Sequence, residues 1–239
     1  NYKMGTNKTI MKKIKKALIS LSDKKNLKNL LKVLTKHNIK LISSGGTYKE
    51  IKKLKFKCLE VSEYTNSPEI LNGRVKTLHP KIYAGILSKR NSKSHKNDLK
   101  KHNFEEIDLV IVNFYPFERT LEQTNNRLKI IENIDVGGPA MVRAAAKNYN
   151  DVTVITSSNQ YYELINEIEK NKGSTSLEFR WKMSSEAFSE TAYYDAVISS
   201  YFNKIRQNNF PKKKIIYGNL IEKLRYGENP HQESAIYSK

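Results

Sequence analysis

Ile39-Lys40-Leu41-Ile42-Ser43-Ser44-Gly45-Gly46-Thr47-Tyr48-Lys49-Glu50-Ile51 is the stretch whose reading decides the fold. The apolar pair Leu41-Ile42 reads as the end of a buried strand. Residues 48–54 carry helix-forming types, with Ile51 and Leu54 facing one way. Between strand and helix stand two serines, two glycines and a threonine. Glycines let backbone N–H groups approach a ligand closely, and a helix start offers unpaired donors at the positive end of its dipole. Ser44 and Thr47 add hydroxyl groups, and Thr47 is a good N-cap. The same residues also read as an ordinary strand-to-helix turn with a threonine cap. The flanking chain has to decide between the two.

Upstream, residues 17–20 form an apolar strand and residues 20–24 a polar turn. Leu27, Leu30, Leu31 and Leu34 then repeat at helical spacing. Strand, helix and strand make a βαβ unit, which implies a right-handed crossover and a parallel sheet. Ligands of such sheets gather at the carboxyl ends of the strands. Both serine-bearing turns, 20–24 and 43–47, fall on that edge.

Downstream, residues 57–61 read as a third strand, and 62–90 is long and weakly periodic, as functional segments often are. At its centre is Gly73-Arg74-Val75-Lys76-Thr77-Leu78-His79-Pro80. Pro80 biases His79 away from helix, so this piece reads as extended, with Arg74 and Lys76 on one side. Two cations and a hydroxyl suit a phosphate, although a solvated basic loop has the same composition. Residues 108–112 are nearly all apolar, as in a central strand, and run out into Asn113-Phe114-Tyr115-Pro116-Phe117. After a short helix at 128–133, Asp135-Val136-Gly137-Gly138-Pro139 repeats the glycine theme at a helix start, and the helix continues over 140–148. A strand at 152–155 and a helix at 160–170 follow. Residues 176–207 read as two helices whose aromatics pack on the sheet.

The formal charge is +19, and only 8 of the 43 basic residues are Arg. Lysines scattered along the whole length argue against a nucleic-acid face, which clusters Arg and Lys with aromatics. They create a field that attracts anionic small molecules. The single cysteine, Cys58, cannot form an internal disulfide, and together with the lack of any run long enough to span a membrane this implies a cytoplasmic protein. Residues 1–10 read as a disordered extension, 11–207 as the domain proper and 208–223 as a linker. Residues 224–239, dense in turn residues, read as the opening of a further domain.

Six of these motifs, in order and spacing, resemble the amino-terminal part of the AICAR transformylase/IMP cyclohydrolase family. They are Ser20-Leu21-Ser22-Asp23-Lys24, Ser44-Gly45-Gly46-Thr47, residues 73–80, residues 113–117, residues 135–138 and Ala144-Ala145-Ala146-Lys147-Asn148. The resemblance implies an α/β fold of the methylglyoxal-synthase-like kind, an open parallel sheet flanked by helices in three layers. It implies IMP cyclohydrolase activity over 11–207, the ring closure of formyl-AICAR to IMP. It also implies that residues 224–239 begin the transformylase domain. Carried over, Ser44, Gly45, Gly46, Thr47, Arg74, Lys76 and Thr77 hold the nucleotide phosphate and position the ligand. Ser20, Ser22, Lys24, Asn113, Val136 and Gly137 line the rest of the pocket, and Lys76, Tyr115, Asp135 and Lys147 surround the reacting atoms. The cyclohydrolase step needs no metal or cofactor in that family, a folate donor serving only the transformylase domain. A small-molecule nucleotide is the expected partner, with no nucleic acid or membrane, and a homodimer is compatible with the family.

The chemistry fits these residue types. A carboxamide nitrogen is a poor nucleophile, so closure onto a formyl carbon of the same molecule is chiefly a matter of orientation. The developing oxyanion needs cationic or N–H donors, which a lysine and a glycine nest supply. Two other readings use the same phosphate loop. A ligand-binding regulatory domain of this fold has no need of Lys147, Tyr115 and Asp135 together. A methylglyoxal synthase gives no purpose to residues 73–80.

Overall fold

A computed structural model describes residues 10–225 and 232–238. Residues 1–9 of the expected extension at 1–10, and residues 226–231 and 239 of the expected further domain at 224–239, lie outside the described residues. The centre is a five-stranded parallel sheet of β2 (Lys16–Leu21), β3 (Lys40–Ser43), β4 (Leu59–Glu60), β5 (Leu109–Asn113) and β6 (Thr153–Ile155). Their order across the sheet is β4-β3-β2-β5-β6. The chain moves outward from β2 through β3 to β4, then returns to the other side of β2 for β5 and β6. The order therefore reverses at β2/β5, where Leu21 pairs with Asn113. A crevice opens at such a reversal, on the carboxyl side.

The sheet is covered on both faces, so its inner strands are apolar on both faces too. Ala17, Leu18, Ile19 and all of residues 109–112 are buried. Right-handed crossovers place α1 (Leu27–Lys36), between β2 and β3, opposite α8 (Gly137–Lys147), between β5 and β6, because the two connections run in opposite directions. α1 contacts α9 (Tyr161–Lys170), whereas α8 contacts α4 (Pro80–Leu87) and α10 (Leu177–Ile205). The architecture is the α/β open parallel sheet flanked by helices.

Several local expectations change. The segment 176–207 is one helix, α10, of 29 residues rather than two. It contains no glycine or proline to break it, and Ser176 caps it by accepting from the Phe179 N–H. Residues 62–90 are not a long loop. They hold α3 (Val61–Thr65), a 3-10 turn at Leu71–Gly73 and α4. The expected extended run at 73–80 is interrupted at Arg74, whose φ of −64° and ψ of −27° are helical. Polar helices α5 (Lys93–Lys101) and α6 (Phe117–Gln123) have no counterpart in the sequence reading. α2 (Gly45–Lys53) starts at the first glycine, so Ser44, not Thr47, occupies the N-cap position. The expected helix at 128–133 is α7 (Arg127–Glu132).

Two small antiparallel pairs complete the description. β1 (Lys12–Lys13) joins β7 (Ser174–Thr175), and β8 (Asn219–Leu224) joins β9 (Ser234–Ser238), so the expected linker 208–223 ends in strand. Arg180 holds the first pair against the body. Its guanidinium, fully buried, donates to the carbonyls of Tyr149 (2.8 Å), Ile10 (3.1 Å), Asn150 (3.1 Å) and Thr175. Burial pulls its pKa down to about 10, which still leaves it charged at neutral pH. Arg180→Met keeps the volume and leaves those carbonyls without a donor. It should lower unfolding free energy by about 3 kcal/mol in denaturant titrations, and a loss under about 1 kcal/mol would show that water replaces the guanidinium.

Candidate active site

At the carboxyl edge of β2 and β3 lies a cleft of about 760 Å³, within the range of small-ligand sites. Ser20 and Leu21 come from the end of β2, Ser44, Gly45, Gly46 and Thr47 from the start of α2, and Lys24 from the turn after β2. Residues 72–77 form one wall. Residues 134–138, with Met141, form the other, so the two glycine motifs face one ligand space. Grooves of about 700 Å³ elsewhere lie between α10 and the β8–β9 hairpin and beside β3 and β4. Neither is built from strand-end glycine turns.

Local physics accounts for the loop geometry. Gly45 sits at φ +54°, a left-handed conformation that side-chain-bearing residues adopt only with strain, and an added Cβ would approach the Lys76 Nζ to 3.4 Å. The Thr47 hydroxyl accepts from the Leu21 N–H (2.8 Å) and donates to the Leu21 carbonyl (3.0 Å). Thr47 is therefore committed to the scaffold and fixes the first turn of α2 on the end of β2. Asn113 is committed likewise. Its Oδ1 accepts from the N–H groups of Ser22 (2.6 Å) and Asp23 (3.1 Å), and its amide donates to the Asp23 carbonyl (2.8 Å). Ser22 supplies backbone to this staple, and neither it nor Asn113 lines the cleft.

Three cations face the glycine loop. Lys24 donates to the Ser22 carbonyl at 3.2 Å, with its chain end about 4 Å from where a Gly46 Cβ would stand. Arg74 forms a two-pronged pair with Glu132, which holds that carboxyl below its ordinary value. Lys76 pairs with Glu69. Sequence reading did not single out either glutamate. They stand 5 residues before Arg74 and 3 before Asp135, and only the fold brings them to these cations. Thr77, buried, approaches Gly137 closely enough that an added Cβ would meet its hydroxyl at 2.9 Å.

The opposite wall is organised around Asp135. Its Oδ1 accepts from the Gly138 N–H at 2.9 Å, and a side chain at Gly138 would collide with the same carboxylate. Its own N–H donates to the Tyr194 hydroxyl at 2.8 Å. Burial raises the Asp135 pKa, and the Gly138 N–H offsets part of that rise. Tyr83, a second phenol pushed up to about 12 by burial and then by Asp135, has a buried hydroxyl with no partner among the described residues. Val136 is exposed at the rim.

Two expected residues stand elsewhere. Lys147 closes α8, whose first residue is Gly137. Ten residues of helical rise put it about 15 Å away. It is exposed, and Arg143 one turn earlier stacks on Phe188 rather than turning to the cleft. α8 starts at the cleft and points away from it, so its last residue cannot line it. Tyr115, 37% exposed on the turn between β5 and α6, does not line it either. Cys58 behaves as a structural thiol, pushed up to about 12 by burial.

Known proteins match the chain over most of its length. The family model "MGS-like domain" matches residues 26–140, and "AICARFT/IMPCHase bienzyme" matches residues 145–239. The bifunctional purine biosynthesis protein PurH of Bradyrhizobium diazoefficiens is 45% identical over 95% of this chain and 43% of its own length. PurH of Lactobacillus acidophilus is 48% identical over 94% of this chain and 44% of its own. The chain thus spans less than half the length of these curated relatives. The crystal structure of ForH superposes with a TM-score of 0.70 at 28% identity, covering 79% of this chain and 99% of that one. No helix among the described residues is long and apolar enough to cross a membrane.

The raised pKa of Asp135 has a thermodynamic signature. An acid held above its ordinary 3.8 binds its proton more tightly when folded, so stability falls as pH rises from that value through the folded pKa and is level above it. Asp135→Asn keeps an oxygen for the Gly138 N–H and removes the titration. Relative to wild type, the variant should gain stability across that window when unfolding is measured at a series of pH values. Parallel pH curves for the two proteins would contradict the burial of the carboxyl.

Proposed function

This chain belongs to the AICARFT/IMPCHase bienzyme family, and we propose that its cleft closes formyl-AICAR to IMP with loss of water. The observation that carries the proposal is the meeting of an anion-binding helix start and a carboxyl-bearing glycine turn across one ligand-sized space. The first holds a nucleotide by its phosphate, and the second stands where the base would lie.

The unpaired N–H groups at the start of α2, with Lys24 and Arg74, receive the 5′-phosphate. Bound there, the substrate is folded so that its carboxamide nitrogen meets its formyl carbon, and orientation supplies most of the acceleration. As the N–C bond forms, charge moves onto the formyl oxygen, and Lys76 and the N–H of Gly137 stabilise it. Asp135 accepts a proton from the attacking nitrogen. The formyl oxygen takes that proton and then the one lost from the formamido N–H, and departs as water as the C=N bond of the new ring forms. A carboxyl raised by burial suits this exchange, since it is a stronger base than an ordinary carboxylate and takes up the proton more readily. The closure uses no metal and no cofactor. Glu132 holds Arg74 until the phosphate takes its place, and Glu69 holds Lys76 until the formyl oxygen does.

Lys147 and Tyr115 are left out of these steps because of where they stand in the fold. The proposal concerns cyclisation alone, with a small-molecule nucleotide as partner. Mixing the purified chain with formyl-AICAR and following the absorbance of IMP, with nothing added, tests it. Saturable IMP formation well above the spontaneous rate is expected. Absence of turnover in a protein that still binds IMP would favour a regulatory ligand-binding domain instead.

A further inference from the structure

Tyr194 is one of several aromatics on α10 that read from sequence as packing against the sheet. In the structure it does something the others do not. Its hydroxyl accepts from the Asp135 main-chain N–H at 2.8 Å, and its ring lies 5.0 Å from Phe114 and 6.5 Å, edge-on, from Phe117. All three rings are buried. Phe114 and Phe117 bracket the turn that carries Tyr115 and Pro116 out of β5. One phenol therefore touches both the turn after β5 and the turn before α8.

The Asp135 contact fixes more than one residue. The carboxylate is bound to the Gly138 N–H and wedged against the Gly138 Cα, leaving its side chain little freedom of its own. Its direction is then set by its main chain, and Tyr194 is the side chain that holds the Asp135 N–H. Packing alone does not require that hydroxyl. A phenylalanine would fill the same volume, and a buried phenol oxygen lowers stability unless it is hydrogen-bonded. Glycines at 137 and 138 make the turn soft, so an external hold is needed to keep its donors pointing into the cleft.

We infer that Tyr194 is a positioning residue: through its hydroxyl, α10 sets the place of Asp135 and the Gly137-Gly138 donors relative to the phosphate loop. This inference rests on the cyclohydrolase reading for its effect on rate, though the hold on the turn can be measured without it. Tyr194→Phe leaves the phosphate-binding wall untouched, since Ser44, Gly45, Gly46, Lys24 and Arg74 belong to other elements. Its kcat for formyl-AICAR should fall about tenfold while KM stays within about twofold, the mark of a misplaced reacting group rather than a lost binding contact.

The experiment pairs that measurement with amide hydrogen exchange at Asp135, expected to be about tenfold faster in Tyr194→Phe. Val197→Ala, three residues further along α10 and buried in the core, serves as the control. It should lower stability and leave kcat unchanged. Should Tyr194→Phe not yield folded protein, a difluorinated tyrosine at that position keeps the ring and weakens the oxygen as an acceptor, and should lower kcat a few-fold. Native kcat in either Tyr194 variant, unchanged exchange at Asp135, or an equal loss of kcat in Val197→Ala would overturn the inference. A wild-type chain that forms no IMP refutes the cyclohydrolase reading, and the exchange rate at Asp135 then decides the inference alone.

Discussion

The cleft depends on one hydroxyl. Thr47 lies in the first turn of α2, and its Oγ1 both donates to and accepts from the backbone of Leu21 at the end of β2. This pins the positive end of a helix to the carboxyl end of the central strand of the sheet. With that end fixed, Gly45 takes its left-handed conformation beside Lys76, and the free N–H groups of α2 face the space between the two walls. The Asn113 amide does the same for the turn after β2, closing three hydrogen bonds to residues 22 and 23. Both side chains look like ligand contacts in a sequence. Both are spent on holding the backbone that makes the contacts.

Charge in the cleft is balanced before any ligand arrives. Arg74 is paired with Glu132 and Lys76 with Glu69, and all four side chains keep substantial contact with water. Pairs of that kind are weakly held, because solvent screens them and side-chain entropy opposes them. A doubly charged phosphate, reinforced by helix N–H groups, competes well for such cations. The net positive field of the chain favours its arrival from any direction. Asp135 is the exception to this solvated pattern, a half-buried carboxyl held by backbone rather than by a cation, with phenols of Tyr83 and Tyr194 nearby.

The sheet was legible because its strands are short apolar runs separated by polar turns, and Leu27, Leu30, Leu31 and Leu34 gave the crossover helix its period. The glycine turns pointed to the right edge for the same reason: few residue types permit that backbone. What sequence could not supply was direction along a helix. Lys147 belongs to a helix that begins at the cleft, yet a rise of about 1.5 Å per residue carried over ten residues takes it to the far end. Nor does a sequence show which polar groups are already satisfied, which is how Thr47 and Asn113 read as ligands. Tyr194 and Glu132 were invisible for the opposite reason. Their partners lie 59 and 58 residues away, and no local pattern announces a contact over that span.

The central claim is that the two glycine turns serve one ligand. The chain has ten glycines, and of the five that line the cleft 45, 46, 137 and 138 form the two turns. A titration of glycine-labelled protein with IMP, followed by amide chemical shifts, tests this directly. Joint movement of those four signals with a single dissociation constant is the predicted result. Movement of the Gly45 and Gly46 signals alone, or of signals outside the cleft, would contradict it.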